Sequence, residues 1–352
     1  MVNQVELEQQ TKPVVMVWVG ADEINRGDTQ GMIGLARHCS RLVDGRYVYM
    51  DNAKLDKMFP KVDKYKDKIR AALKVYGQPD ILFGGYAADV YFCMDEKPKL
   101  FINDINEDIS LLRNFDRFVA HDITFNKLRF SRAEFKAHYP DIKGPLFAVF
   151  IGGSSFSMQD EGRDLAKKLY YLAAQHDEST IFVCPSRRSG KDYDRLMEHL
   201  NTGFHSWFDE GSLKVNFKKA IGRAPKVNII GQSYKDILNG YNPYVGLLGA
   251  ADHIFVLGDS YSIACETMAT GKPVYADFMY RYYDDCVDRG QIVPLHTVEI
   301  GKLPKARVKP INYTRDLALR LVDEYQRACL RRSKESAVSA VIKLESRPLN
   351  LK

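Results

Sequence analysis

The chain lacks any apolar run long enough to cross a bilayer; its longest stretches, such as Leu146 to Ile151, fall far short of the roughly 20 residues that a spanning helix requires. It does not open on a signal peptide, because Met1 to Lys12 is polar and carries Glu6 and Glu8 where a basic cluster and an apolar core would stand. The six cysteines, at positions 39, 93, 184, 265, 286 and 329, include no Cys-x-x-Cys pair and no zinc-like grouping with histidine, so they read as reduced thiols, most of them core filler. Internal repeats and low-complexity tracts are missing too. No Asp-x-Asp diad follows a strand in a mixed-sheet context, which argues against a metal-dependent transferase of another architecture; no metal site and no cofactor are expected. These absences place the protein in the cytoplasm, with a peripheral contact at the inner face of the membrane as the alternative.

Charge of one sign is also scarce. The formal net charge is +6 over 352 residues, and acids and bases are interleaved nearly everywhere. That balance favours anionic small molecules or a membrane surface as partners, and nucleic acid is not expected.

What is present is an ordinary globular composition, 45% hydrophobic and 27% charged, at about twice the usual single-domain length. Two domains follow, each large enough for its own core. In the first half, Val14 to Val19 reads as a buried strand, followed by a polar loop (Gly20 to Gly27) and a helix from Thr29 to Leu42. Tyr47 to Met50, Ile81 to Phe83, Leu100 to Ile102 and Phe118 to Ala120 read as further strands, and Tyr65, Ile69, Leu73 and Tyr76 mark one helix face. The pattern breaks at His138 to Pro145 and starts again. Leu146 to Ile151, Ile181 to Cys184, Val227 to Ile230, Ile254 to Leu257 and Val274 to Ala276 read as the strands of a second doubly wound sheet. The expected architecture is α/β: two Rossmann-like doubly wound domains facing across a cleft, residues 1–143 binding an acceptor and 144–310 a donor. A closing helix in 311–352 carries Leu317, Leu321, Tyr325 and Ala328, with packing back on the first domain as its expected placement.

Ligands of open parallel sheets bind beyond the carboxyl ends of the strands. Three loops of the second half have suitable chemistry there. The most informative runs from Leu257 to Pro273. In it, glycine and small hydroxyl residues (Gly258, Asp259, Ser260, Ser262) precede a short helix expected from about Ile263 to Gly271, whose free N–H groups suit a diphosphate. Glu266, four residues after Ser262, lies on the same helix face and could accept hydrogen bonds from ribose hydroxyls. The alternative is that Ser262 is only an N-cap and Glu266 its capping carboxylate. The second loop, Gly152, Gly153 and Ser154, allows close backbone approach to a phosphate or an acceptor hydroxyl. The third, Ser186, Arg187, Arg188 and Ser189, offers guanidinium forks for phosphate oxygens, although such pairs are often solvated surface charges. In the first half, Asp28 is a candidate base for an acceptor hydroxyl or, equally, an N-cap; His121 is a second candidate base or a structural histidine. The clusters Met279 to Tyr283 and Lys127 to Phe130 combine aromatic and basic residues, suiting membrane contact, acceptor binding or half-buried loops.

The segments Asn242 to Asp252, Asp259 to Ser262, Glu266 and Ala269 to Val274 resemble the signature region of the mitochondrial-fission Elm-type family, which groups the plant elongated-mitochondria protein with many bacterial proteins. Gly152 to Ser154 and Ser186 to Ser189 stand where that family has its glycine-rich and Ser-Arg-Arg segments. In the first half only Arg26 to Gly31 supports the likeness, as a worn form of a Gly-His-Glu-Asn-Gln loop with Gly27 or Asp28 at the histidine position. The family in turn is similar to GT-B glycosyltransferases, whose donor nucleotide lies against the C-terminal domain with an acidic residue on the ribose; Glu266 matches. The resemblance implies a metal-independent, inverting glycosyltransferase that takes a nucleotide-sugar donor as substrate and acts on a glycan, glycolipid or similar acceptor. Two other readings stay open: a non-catalytic membrane-surface adaptor of the fission type, and a sugar-nucleotide epimerase of the same fold.

Overall fold

A computed structural model of the chain describes residues 12–19, 27–84, 87–102, 121–153, 161–176, 178–209, 226–258, 260–277, 284–288, 290–299, 303, 310 and 313–345. The chain divides into two compact units, one formed by residues 1–122 and 312–352, the other by 123–311.

The first unit is built on a parallel sheet of β1 (Val14–Val19), β2 (Arg46–Asp51), β3 (Ile81–Phe83) and β4 (Leu100–Ile102), in the order β2-β1-β3-β4. Every residue of β1 is buried, which its unbroken apolar run requires of a strand covered on both faces. Val15, Val17 and Val19 face α1 (Gly27–Leu42) and the long helix α12 (Tyr313–Glu345), through Ile33, Ala36, Leu317, Leu321 and Tyr325. Val14, Met16 and Trp18 face the other way, onto Leu55 of α2 (Asn52–Met58), Ile69 and Leu73 of α3 (Tyr65–Tyr76) and Val90 of α4 (Ala87–Cys93). Each such side chain contributes about 1.5–3 kcal/mol by leaving water. The strand expected at Phe118 to Ala120 lies outside the described residues.

The second unit holds a parallel sheet of β5 (Leu146–Gly152), β6 (Glu178–Pro185), β7 (Lys226–Gly231), β8 (His253–Gly258), β9 (Val274–Asp277) and β10 (Val293–Pro294). Its order, β7-β6-β5-β8-β9-β10, is that of a dinucleotide-binding sheet: the chain winds outward from β5 to one edge, returns, and winds to the other. Phe147, Val149 and Ile151 of β5 pack under α6 (Glu161–Ala173) and α7 (Gly190–Asp209), through Leu165, Leu169, Leu172 and Leu196. The opposite face carries α5 (Phe125–His138), α9 (Tyr244–Ala250) and α10 (Tyr261–Met268); Phe135 of α5 meets Phe182 edge-on at 5.6 Å, and Tyr244 of α9 meets Phe150 at 5.1 Å. A short helix, α8 (Tyr234–Asn239), stands between β7 and α9 and is opened by a capping box from Ser233 and Asp236, and another, α11 (Asp284–Asp288), stands between β9 and β10.

One boundary differs from the sequence reading, and the placement of the closing helix agrees with it. The break at His138 to Pro145 is the link between α5 and β5 inside the second unit, so the division falls at 122/123 and not at 143/144. The physical cause is α5, which belongs to the second sheet because Phe135 is buried against it. Helix α12, for its part, lies on α1 within the first unit, where Cys39 Sγ reaches Ala318 O at 3.8 Å.

Candidate functional site

The sheet of the second unit reverses its winding between β5 and β8, and their carboxyl ends stand side by side: Gly152 pairs with Gly258, and Ile151 with Pro185 on the other flank. Gly258 takes a φ of +88° directly beside the Gly152 carbonyl, a conformation and a spacing that no side chain tolerates. Gly152 in turn lies against the Cβ of Ser260, so that an added methyl would overlap it. The carboxyl ends of β5 and β8 therefore touch at two glycines, and Gly152 leaves the room that the Ser260 side chain fills.

Ser260 is the N-cap of α10: its hydroxyl accepts the Ile263 N–H at 3.4 Å. The helix thus begins at Tyr261, two residues earlier than the sequence pattern indicated, and ends at Met268. Ser262 is not the cap; it sits in the first turn, half-buried, and Glu266 follows one turn later on the same face. Glu266 is only 7% exposed, and its Oε2 accepts a hydrogen bond from the Tyr244 hydroxyl of α9. Burial, and then the neighbouring Glu266 carboxylate, push the Tyr244 phenol well above its ordinary pKa, so it stays a donor at any physiological pH. Glu266 is therefore neither a capping carboxylate nor a solvent-facing one, but a buried acid oriented by a tyrosine.

The loop after β6 is fastened to the same strand end. Ser186 N–H donates to Ile151 O at 2.8 Å, and the buried Ser189 hydroxyl donates to that carbonyl at 2.8 Å while accepting the Ser186 N–H at 2.8 Å. Arg188 N–H reaches Ser186 Oγ at 3.3 Å, and the turn leaves Arg187 and Arg188 exposed at the start of α7. Neither guanidinium has an acid partner among the described residues. Gly152, Gly153, Ser186, Arg187, Arg188, Ser260, Ser262 and Glu266 are thus brought to one end of three adjacent strands; Ser154 and Asp259 lie outside the described residues. This arrangement presents backbone N–H groups, hydroxyls and two exposed cations at one end of the sheet, where the acids among the described residues, Glu266 and Asp192, are both buried, chemistry that suits a phosphorylated anion.

Two residues at this end were not singled out from sequence. Tyr244 meets Glu266 across 22 positions of chain, a contact that no local pattern signals. Asp192, in the first turn of α7, is buried at 8% exposure, and that burial raises its pKa against the lowering effect of Arg195. An acid three residues into a helix reads from sequence as an ordinary first-turn charge.

In the first unit, Asp28 falls inside the first turn of α1, which starts at Gly27, so it is not the N-cap; its side chain lies outside the described residues. His121 is 3% exposed, and its backbone is clamped: its N–H donates to Thr314 Oγ1 at 3.0 Å, and Gly34 leaves no room for a Cβ beside its carbonyl. Asp122 pairs with Arg37 at 2.6 Å. These backbone contacts of His121 tie α1 to α12. Among the described residues no group of three or more His, Cys, Asp or Glu is placed to hold a metal ion.

Fold and site together define an α/β protein with two Rossmann-like parallel sheets, of the GT-B-like class. The chain belongs to the mitochondrial fission ELM1 family, whose profile matches residues 117–325. The UDP-GlcNAc 2-epimerase from Methanocaldococcus jannaschii is similar in fold, with a TM-score of 0.50 over 87% of this chain and 98% of that one at 12% identity. E. coli ADP-heptose lps heptosyltransferase II aligns over 90% of this chain and 99% of that one, at a TM-score of 0.41 and 12% identity. At such identities the likeness is one of fold. No curated protein matches the sequence significantly.

Proposed function

We propose that this chain is a metal-independent, inverting glycosyltransferase that takes a nucleotide-activated sugar and acts on a glycan, glycolipid or similar acceptor. The observation that carries the reading is the fastening of the loops after β5, β6 and β8 to one another at the winding reversal of the second sheet. In this assignment the start of α10, with Ser260 and Ser262, and the guanidinium groups of Arg187 and Arg188 hold the diphosphate, and Glu266 takes the ribose hydroxyls. Asp259 and Ser154 extend the same loops.

The reaction that fits is a displacement. The acceptor oxygen bonds to the anomeric carbon as the bond from that carbon to the diphosphate oxygen breaks; the acceptor proton passes to a base, and the electron pair leaves on the diphosphate. We assign the base to the first unit, with Asp28 as the candidate. Because negative charge grows on the leaving group, donors aimed at phosphate lower the barrier as well as binding substrate.

Calorimetry against a panel of sugar nucleotides and bare nucleotides tests the reading. Binding of at least one nucleoside diphosphate is expected, weakened in Glu266→Ala and in Arg187→Ala by roughly 1–3 kcal/mol, the scale of a lost charged hydrogen bond. Donor isomerisation without any acceptor would assign the site to an epimerase, and indifference to every nucleotide would leave the adaptor role.

A further inference from the structure

Helix α5 has one face spent on packing and another facing water. Phe135 and Leu128 lie on the packed side, where α9 comes close enough that a Cβ on Gly246 would stand 2.6 Å from Phe135 Cβ and one on Gly249 would stand 2.5 Å from Leu128 O. At ~100° per residue, the opposite arc of roughly 140° runs through Phe125, Lys136, Arg129, Ala133, Asn126, Ala137 and Phe130. All seven are exposed, and none is acidic.

Two properties of this arc stand out against the rest of the surface. Phe125 is 79% exposed and Phe130 66%, so one helix presents two nearly bare aromatic rings. Arg129 and Lys136 share the arc without an acid partner among the described residues; Arg129 lies 5.5 Å from the Phe130 ring. Arg132, at the margin of the arc, is also exposed and stands within electrostatic reach of Lys272, while Glu134 is the helix's sole carboxylate.

We propose that this face of α5 is a docking surface for an anionic phospholipid bilayer, with Phe125 and Phe130 entering the interface and Arg129, Arg132 and Lys136 meeting lipid phosphates. The charges are unpaired and of one sign, which complements an anionic surface, and phenyl rings favour the boundary between headgroups and acyl chains. A protein partner of acidic character would satisfy the cations but would have to supply apolar pockets at both margins of the helix; a bilayer accepts rings wherever they fall. The proposal is independent of the transferase reading, since none of these residues belongs to the nucleotide site.

The test is co-sedimentation of the full chain with phosphatidylcholine vesicles and with vesicles in which about 30% of the lipid is phosphatidylglycerol. Binding is expected to the anionic vesicles only, and to fall about tenfold or more when salt is raised from roughly 0.1 to 0.5 M. Phe125→Ser with Phe130→Ser, and separately Arg129→Glu with Lys136→Glu, are each expected to lower it about tenfold or more while circular dichroism and nucleotide affinity stay as in the parent chain. Equal binding to both vesicle types, no binding to either, or binding that both double variants retain would overturn the proposal. So would self-association of the parent chain that the Phe variants abolish without any vesicle binding, which would give the face to a second copy.

Discussion

Glu266 and Tyr244 form a pair whose members depend on one another. The carboxyl group is buried and the phenol donates to it, so removing the hydroxyl takes one donor from a buried acceptor. Tyr244→Phe is expected to lower the stability of the second unit by about 1–3 kcal/mol, read from denaturant melts, and to weaken nucleoside diphosphate binding beyond that loss. A variant that melts early yet binds as the parent does would separate the pair from the ligand. Lys272 gives a second test at this scale. Burial lowers its pKa from 10.5 to about 8, with Asp252 opposing and Arg132 assisting. Between these two values the unfolded chain holds the proton that the folded chain has given up, so stability should rise as pH climbs from about 8 towards 10.5. Lys272→Met should raise the melting temperature at pH 7 and lose that advantage above about pH 10; an advantage that is the same at both pH values would contradict the assignment. From sequence, the serines, arginines and Glu266 were legible because they follow strands. The helix expected from about Ile263 starts at Tyr261, because Ser260 and Ser262 are equally good caps by residue type and it is Ser260 that accepts the Ile263 N–H.

At the scale of elements, strands buried on both faces were readable as apolar runs, and β3 and β4 coincide with the runs Ile81 to Phe83 and Leu100 to Ile102. Helix α5 was not readable in that way. Phe135 is its one fully buried hydrophobic residue, and the rest of its packed side is made by glycines on α9, which signal nothing by periodicity. Those glycines set the distance between the two helices. Gly246→Val should therefore force α5 away from α9 and destabilise the second unit by roughly 1–3 kcal/mol, more than the same change at Gly190, which has nothing within 4 Å of its Cβ position. Thermal melts of the two variants settle the order. The edge strand β10 escaped the sequence reading because two residues, Val293 and Pro294, carry no period.

At the scale of the whole molecule, the chain returns to its first unit at the end: α12 starts at Tyr313, after the second sheet is complete, and lies on α1. Both sheets reverse their winding beside their first strand, at β1/β3 in one and β5/β8 in the other. If guanidinium groups and a helix start meet the diphosphate, as proposed, nucleotide affinity should be the same with and without a chelator present.

The most direct test of the central claim is hydrogen exchange on the full chain, with and without a saturating nucleoside diphosphate. The account predicts slowed exchange together in residues 152–153, 186–190 and 260–266, with the effect lost in Glu266→Ala. Protection confined to other segments, or absent with every nucleotide at concentrations where calorimetry shows binding, would contradict it.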